Sequence, residues 1–292
     1  MTFSRILVPL DGSRLAEAVL PAACSIARKL GARLLLVHVL ERDPPRTVHG
    51  EPHLRSAGDA SAYLEEHATP MRERGLTVEV HVHERPVTDI AAALDGYTHE
   101  LAADLIAMCA HGRSNLRTQL IGSIAERILR GGSVPILLRT VRRPGGAGFE
   151  LRKLLVPIDF GHDVDTALAA ARTLATPYGA ELVLLAAPEP PPPPTSRLLP
   201  ETTALTRQYE LDNLHHRLAE LARQLPADLD LQTIVADASP TDAILDATES
   251  LPADLILLVT HAHAGLSSWY DPSIVQRLLR RPDLTLLLIR ES

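Results

Sequence analysis

Apolar residues along the chain fall into two alternating patterns. Short runs dense in Val, Ile and Leu occur at 5–10 (RILVPL), 33–39 (RLLLVHV), 76–82 (LTVEVHV), 103–109 (ADLIAMC) and 134–139 (VPILLR). Such brief, nearly continuous runs predict buried strands. Between most of them apolar residues recur at three- and four-residue steps, as at Leu15, Ala18, Val19, Ala22 and Ile26, which is the period of a helix. Strands alternating with helices imply right-handed βαβ crossovers and a mostly parallel sheet covered on both faces. Ligands of such sheets sit beyond the carboxyl ends of the strands, where strand order reverses. Asp11-Gly12-Ser13, Val39 and the stretch 109–112 all fall at strand carboxyl ends.

The pattern then repeats. RILVPLDGSRLAEAVLPAACSIARKLGARLLLVHV (5–39) lies over KLLVPIDFGHDVDTALAAARTLATPYGAELVLLAA (153–187), and ADLIAMCAHG (103–112) lies over ADLILLVTHA (253–262). A supersecondary unit seen twice at this spacing is a duplicated domain. The Pro-Gly-Gly core of RTVRRPGGAGFE (139–150) reads as a flexible connection. The expected organisation is a first domain at 1–140, a linker at 141–150 and a second domain at 151–292.

Composition narrows the function classes. With 46% apolar and 22% charged residues among 292, the chain has the balance of a globular protein long enough for two domains. A formal net charge of −7 gives no long-range attraction to nucleic acid or anionic membrane, and neither is expected as a partner. Cys24 and Cys109 lack CxxC spacing, so neither a disulfide framework nor a structural zinc site is suggested. A basic start followed by an apolar leader is absent, as is any run near the roughly 18 apolar residues of a membrane span. A cytoplasmic location is the expectation.

The glycines carry the candidate chemistry. Gly112 is followed after nine residues by Gly122 and Ser123, which open a helical stretch. One reading is an N-terminal capping box, with Ser123 and Glu126 in S-x-x-E spacing. The second repeat is a control: it starts its matching helix with Asp271 and Pro272, yet has His263 and Ser273 where the first has Gly112 and Gly122. A helix start therefore does not need the glycines. Close backbone approach to a ligand, or positive φ, does. A helix N-terminus offers unpaired N–H donors and partial positive charge, which suits phosphate, and Arg113 and Arg117 lie in the same loop. In the second repeat the arginines become Ala264 and Ser268, so only the first is expected to hold phosphate.

These residues carry a resemblance. VPLDGS, LLVHV and AHGRSNLRTQLIGSIAERIL followed by VPILL together resemble the universal stress protein family in its tandem two-domain form. The resemblance covers essentially the whole chain, most strongly 1–140. It implies an α/β fold of two Rossmann-like domains, each a five-stranded mostly parallel sheet with helices on both faces. The family's ATP-binding members carry G-2x-G-9x-G-[S/T]; Gly112, Gly122 and Ser123 match it, and Cys109 stands where the first glycine would be. Because cysteine disfavours positive φ, a weakened site is expected. The resemblance implies that Asp11 meets the nucleotide near adenine or ribose, with Pro9 and Leu10 beside it, and that the Val39 backbone meets the adenine edge. It places Met108, Cys109, His111, Gly112 and Arg113 by ribose and phosphates, and Gly122, Ser123, Ile124 and Ala125 at the helix end.

The function implied is ATP binding, with or without Mg, in the first domain only. The nucleotide would act as a regulatory ligand in a cytoplasmic stress response, since no general base or nucleophile accompanies the phosphate loop. The alternatives are a slow ATP-hydrolysing enzyme of the same architecture and an interaction module that binds no nucleotide. For Asp11 an ordinary turn role competes with ligand contact. His81 with His83, and His261 with His263, have chelating spacing but no evident third ligand, so no metal is assigned. PEPPPPP at 188–194 reads as a stiff polyproline loop, and Cys109 as a packing residue before a redox thiol. The fifth strands, VPILL and LTLLLI, are apolar edges that invite pairing. Intrachain pairing of the two domains is expected, and a homodimer stays open.

Overall fold

The computed structural model describes residues 1–110, 122–141, 148–161, 163–189, 200–260 and 272–290. His111, Gly112, Arg113 and Arg117, the 142–147 stretch, most of the polyproline segment and 261–271 lie outside the described residues.

In chain order the first repeat forms β1 (Arg5–Pro9), α1 (Arg14–Glu17), α2 (Leu20–Leu30), β2 (Arg33–Glu41), β3 (Thr47–Val48), β4 (Glu51–Pro52), α3 (Ala57–Glu73), β5 (Val78–Val87), α4 (Ile90–Glu100), β6 (Leu105–Cys109), α5 (Ser123–Gly131) and β7 (Ile136–Arg139). The second forms β8 (Lys153–Pro157), α6 (Val164–Tyr178), β9 (Glu181–Ala186), α7 (Pro200–Gln224), β10 (Leu231–Val235), α8 (Pro240–Ser250), β11 (Leu255–Thr260), α9 (Pro272–Leu279) and β12 (Thr285–Arg290). The chain divides into two compact units, one of Met1–Glu150 with Gln276–Arg290 and the other of Leu151–Val275 with Glu291–Ser292.

In unit 1 the sheet runs β12-β7-β6-β1-β2-β5. Its five strands from the first repeat pair in parallel, and β12 lies antiparallel to β7 with Leu286 opposite Leu138 and Leu287 opposite Leu137. Burial explains the continuous apolar runs: Ile6, Leu7 and Val8 of β1 and Leu34 to Val37 of β2 are fully enclosed, because helices cover both faces of a parallel sheet. Each such side chain contributes about 1.5–3 kcal/mol relative to exposure. In unit 2 the order is β10-β9-β8-β11, again parallel.

The Ala-Asp-Leu of each repeat has a structural purpose. Asp104 accepts from the Ser4 and Arg5 backbone amides at 2.7 and 2.9 Å, and Asp254 accepts from those of Arg152 and Lys153, both at 2.9 Å. One carboxylate thus fastens the start of β1 or β8, which aligns the first strand and with it the turn beyond its carboxyl end. Among the described residues no helix is long and apolar enough to cross a membrane.

Candidate functional site

The turn after β1 is built from the Asp11-Gly12-Ser13 sequence. Gly12 has φ +86°, and a Cβ there would lie 2.9 Å from Leu54 Cγ, so both conformation and space require glycine. Asp11 divides its carboxylate between two roles. Its Oδ1 accepts from the Ser13 amide at 3.0 Å and the Ser13 hydroxyl at 2.6 Å, while Oδ2 lies 3.9 Å from His49 Nε2. Ser13 Oγ in turn accepts from the Ala16 amide at 3.1 Å, capping α1. The turn role expected for Asp11 is therefore present, and one oxygen is left on the cavity side.

Beside it, β2 ends in His38, Val39 and Glu41. His38 is buried, with Nδ1 2.7 Å from the Leu10 carbonyl oxygen. The hairpin of β3 and β4 adds His49, and the chain beyond it adds His53, whose Nδ1 lies 2.9 Å from the Leu54 carbonyl oxygen. His53 Nε2 stands 3.5 Å from Glu41 Oε1, within ion-pair range, and has no hydrogen-bond partner among the described residues.

On the other side, Met108 and Cys109 end β6 opposite Leu138 and Arg139 of β7. Cys109 is a regular strand residue and is not among the residues at positive φ. The expectation that cysteine would strain this position is thereby corrected: the backbone is extended, and extended backbone accepts any side chain. Burial pushes its thiol up to about 12, and it packs with Leu15, Ala18 and Val141, which suits packing and opposes redox chemistry.

Two expectations at α5 also change. Gly122 is the N-cap with φ −60° and ψ 142°, so it does not use glycine's left-handed freedom, and no side chain caps the helix. Ser123 is already inside the first turn, one residue too late to close a capping box with Glu126; the Glu126 amide donates to Gly122 O at 2.9 Å and its carboxylate accepts from Arg130 at 2.8 Å. The result is a helix start whose Ser123, Ile124 and Ala125 amides have no acceptor within the helix.

These pieces surround one cavity of about 330 Å³ within unit 1, at the small end of the range for small-molecule sites. Pro9, Leu10, Asp11, Val39, Met108, Cys109, Gly122, Ser123, Ile124 and Ala125 all line it; His111, Gly112 and Arg113 lie outside the described residues. Sequence reasoning missed His38, Glu41, His49, His53, Thr88, Ile90 and Arg127 in the same wall. Only His38 left a signal, as a histidine within an otherwise apolar strand. His81 and His83 point elsewhere, packing near Tyr97 with ring centroids 6.4 and 5.7 Å away. Among the described residues no cluster of His, Cys, Asp or Glu is placed to hold a metal ion.

A model of the universal stress protein family matches residues 2–139 and again 150–290. The chain belongs to the universal stress protein family. It is 25% identical over 147 residues to a universal stress protein of Methanocaldococcus jannaschii, covering 49% of this chain and 84% of that one. To one of Synechocystis it is 29% identical over 138 residues, 47% of this chain and 42% of the relative. Among solved structures, a Pseudomonas aeruginosa protein of unknown function superposes with a TM-score of 0.70 at 18% identity, covering 99% of this chain and 92% of its own. A universal stress protein of Archaeoglobus fulgidus gives 0.66 at 18% identity, covering 100% and 98%. These likenesses establish the Rossmann-like α/β fold in tandem form.

The second universal stress protein repeat is built differently at the matching turn. Phe160 takes the place of Gly12, and its ring carries the Arg217 guanidinium 4.1 Å away, with the Arg217 side chain also donating to Phe160 O at 3.2 Å. Asp159 is retained and accepts from the Gly161 amide at 2.8 Å. The nearby depression is lined by Asp163, Asp165 and Glu220 against Arg217, an excess of carboxylates unsuited to phosphate.

Proposed function

We propose that the unit 1 cavity binds an adenine nucleotide, ATP in the first instance, and that this universal stress protein uses it as a regulatory ligand in a cytoplasmic stress response. The observation that carries the reading is the convergence of the Asp11 turn, the end of β2 and the uncapped start of α5 on one cavity. A carboxylate suits ribose hydroxyls and free helix amides suit phosphates. The family resemblance contributes ATP as the specific nucleotide and the location. The second turn, where Phe160 with the Arg217 guanidinium on its ring takes the place of Gly12, supports a single site per chain.

Isothermal titration of the full chain with ATP, with and without Mg, tests this. Stoichiometry near one per chain is expected. Two equivalent sites would overturn the asymmetry, and no heat with no retained nucleotide by mass spectrometry would overturn the reading itself. Phosphate release followed over hours separates a regulatory ligand from a substrate.

A further inference from the structure

Arg290 is the last residue of β12 and so comes from the second repeat, yet its side chain ends on a helix of the first. Its Nη1 donates to Gly132 O at 3.1 Å and its Nη2 to Leu129 O. Both carbonyls lie at the C-terminal end of α5, where backbone acceptors have no amide ahead of them within the helix. One planar guanidinium spans the two acceptors, which a lysine cannot do in the same way, and it sets a cation at the negative pole of the helix. The other end of α5, from Gly122 to Ala125, lines the unit 1 cavity.

Packing gives this helix a modest hold. It has nine residues, of which Ala125 and Ile128 are buried, so its placement depends on ties made from outside. At the near end the Gly122 amide donates to Ala110 O at 2.8 Å. On its flank Arg127 pairs with Asp89, the N-cap of α4, but both side chains are exposed, and exposed pairs contribute little. The seam between β7 and β12 does not itself require the arginine. The offset that lays residue 253 over 103 also lays Arg290 over Thr140, and Thr140 makes the matching contact in the other direction, its Oγ1 donating to Arg281 O at 2.6 Å just past α9. A hydroxyl suffices at one of the two corresponding places. The forked cation stands at the helix whose start no side chain caps and whose first residues line the cavity.

We propose that Arg290 is a positioning residue for nucleotide binding: the last strand of the second repeat holds the C-terminal end of α5, and through it the amides offered to phosphate at the other end. The proposal rests on the nucleotide reading above. Lever geometry carries it. A nine-residue helix is about 13 Å long at about 1.5 Å per residue, so play of about 5° about one end moves the other by about 1 Å. A binding constellation tolerates about 0.5 Å. Asp11 and Val39, by contrast, are carried by the turn after β1 and by β2, elements that the Arg290 side chain does not hold. Loosening α5 should therefore weaken the grip on phosphates and spare the grip on the nucleoside. The second repeat then serves the first not only by covering its last strand but by fixing one side of its cavity.

Titration of the full chain with ATP and with adenosine, for the unaltered protein, Arg290→Ala and Arg290→Lys, tests the assignment. The expected result is about fivefold weaker ATP binding in Arg290→Ala, about twofold in Arg290→Lys, and less than a twofold change for adenosine in either. Hydrogen exchange of the unliganded Arg290→Ala chain reads the cause: amides of 123–131 should exchange at least fivefold faster, with those of β1 and β2 unchanged. Unchanged ATP affinity in Arg290→Ala would overturn the proposal while leaving the nucleotide reading standing. So would a parallel loss for ATP and adenosine, or faster exchange throughout unit 1, either of which would mark the residue as merely structural. Failure of the unaltered chain to bind ATP would remove both readings. Arg290→Lys keeps the charge and the stem, so it carries the same comparisons if Arg290→Ala does not fold.

Discussion

At the scale of single residues, the glycines separate into those that need their backbone freedom and those that do not. Gly12→Ala should cost about 1–2 kcal/mol from the left-handed backbone alone, with more from the approach to Leu54 at 2.9 Å. Gly122→Ala should cost less than about 1 kcal/mol in stability, because φ −60° suits alanine. Urea unfolding of both variants checks this, and equal losses would contradict it. Sequence reasoning located both glycines but attached the conformational argument to Gly122, because a motif records spacing and not φ. Cys109 shows the same limit: its buried strand position and packing role were legible, its backbone φ was not. Since burial lifts its thiol to about 12 and that of Cys24 also upward, native protein at pH 8 should label slowly with iodoacetamide, whereas urea-unfolded protein should label at both cysteines within minutes. Rapid native labelling at Cys109 would contradict the packing role. His38 adds a pH dependence. Its folded pKa lies below the ordinary 6.5, so the unfolded chain binds the proton more readily, and the stability it supports is complete above about pH 6.5 and declines as pH falls below it. Unfolding at pH 7.5 and 5.5 should show a smaller loss for His38→Ala than for the unaltered chain.

Among elements, those carried by apolar periodicity were legible and those carried by turn chemistry were not. The expected strands at 5–10, 33–39, 103–109 and 134–139 correspond to β1, β2, β6 and β7 within two residues at either end. β5 runs on to Val87, beyond the expected end at 82, because Glu84, Arg85 and Pro86 are exposed and interrupt the apolar signal before Val87. The β3 and β4 hairpin escaped entirely. Its strands have two residues each, and it is held by a two-residue turn at His49 and Gly50 with φ of 51° and 90°, the paired positive values that a type I′ turn requires. The hairpin matters because it carries His49 to the cavity wall. His49→Asn should therefore leave stability unchanged or raise it by about 0.5 kcal/mol, since Asn-Gly is the preferred pair in this turn. Gly50→Val should lower it by about 1–2 kcal/mol. Chemical denaturation of the two variants distinguishes them, and a loss of the same size for both would mean that the turn is held by its surroundings.

At the scale of the whole molecule, the question is why a repeat whose phosphate-binding residues have changed is kept. The duplication was legible because both repeats need the same strand cores and the same Asp anchor, and the apolar composition of the two last strands marked them as edges that invite pairing with each other. β12 completes the sheet of unit 1: its backbone pairs with β7 from Thr285 opposite Arg139 to Leu288 opposite Ile136. Side chains reinforce the seam. Thr140 Oγ1 donates to Arg281 O at 2.6 Å and accepts from the Leu284 amide at 2.9 Å, and Arg139 donates to Thr285 Oγ1 at 2.9 Å. Arg290 donates to the carbonyls of Leu129 and Gly132 at the end of α5, a cation where the helix dipole is negative. The opposite end of that helix faces the cavity. Residues 1–141 alone would leave the β7 edge unpaired, with Ile136, Leu137 and Leu138 no longer covered by Leu286, Leu287 and Leu288. An exposed apolar edge of that kind recruits another strand. Light scattering at micromolar concentration should therefore find the 1–141 fragment dimeric or aggregated, and addition of charge as Leu137→Lys should not restore a folded monomer, because Leu137 is also fully enclosed in the core. A well-behaved monomer of 1–141 would show that β12 is dispensable to unit 1 and that the second repeat is kept for another reason.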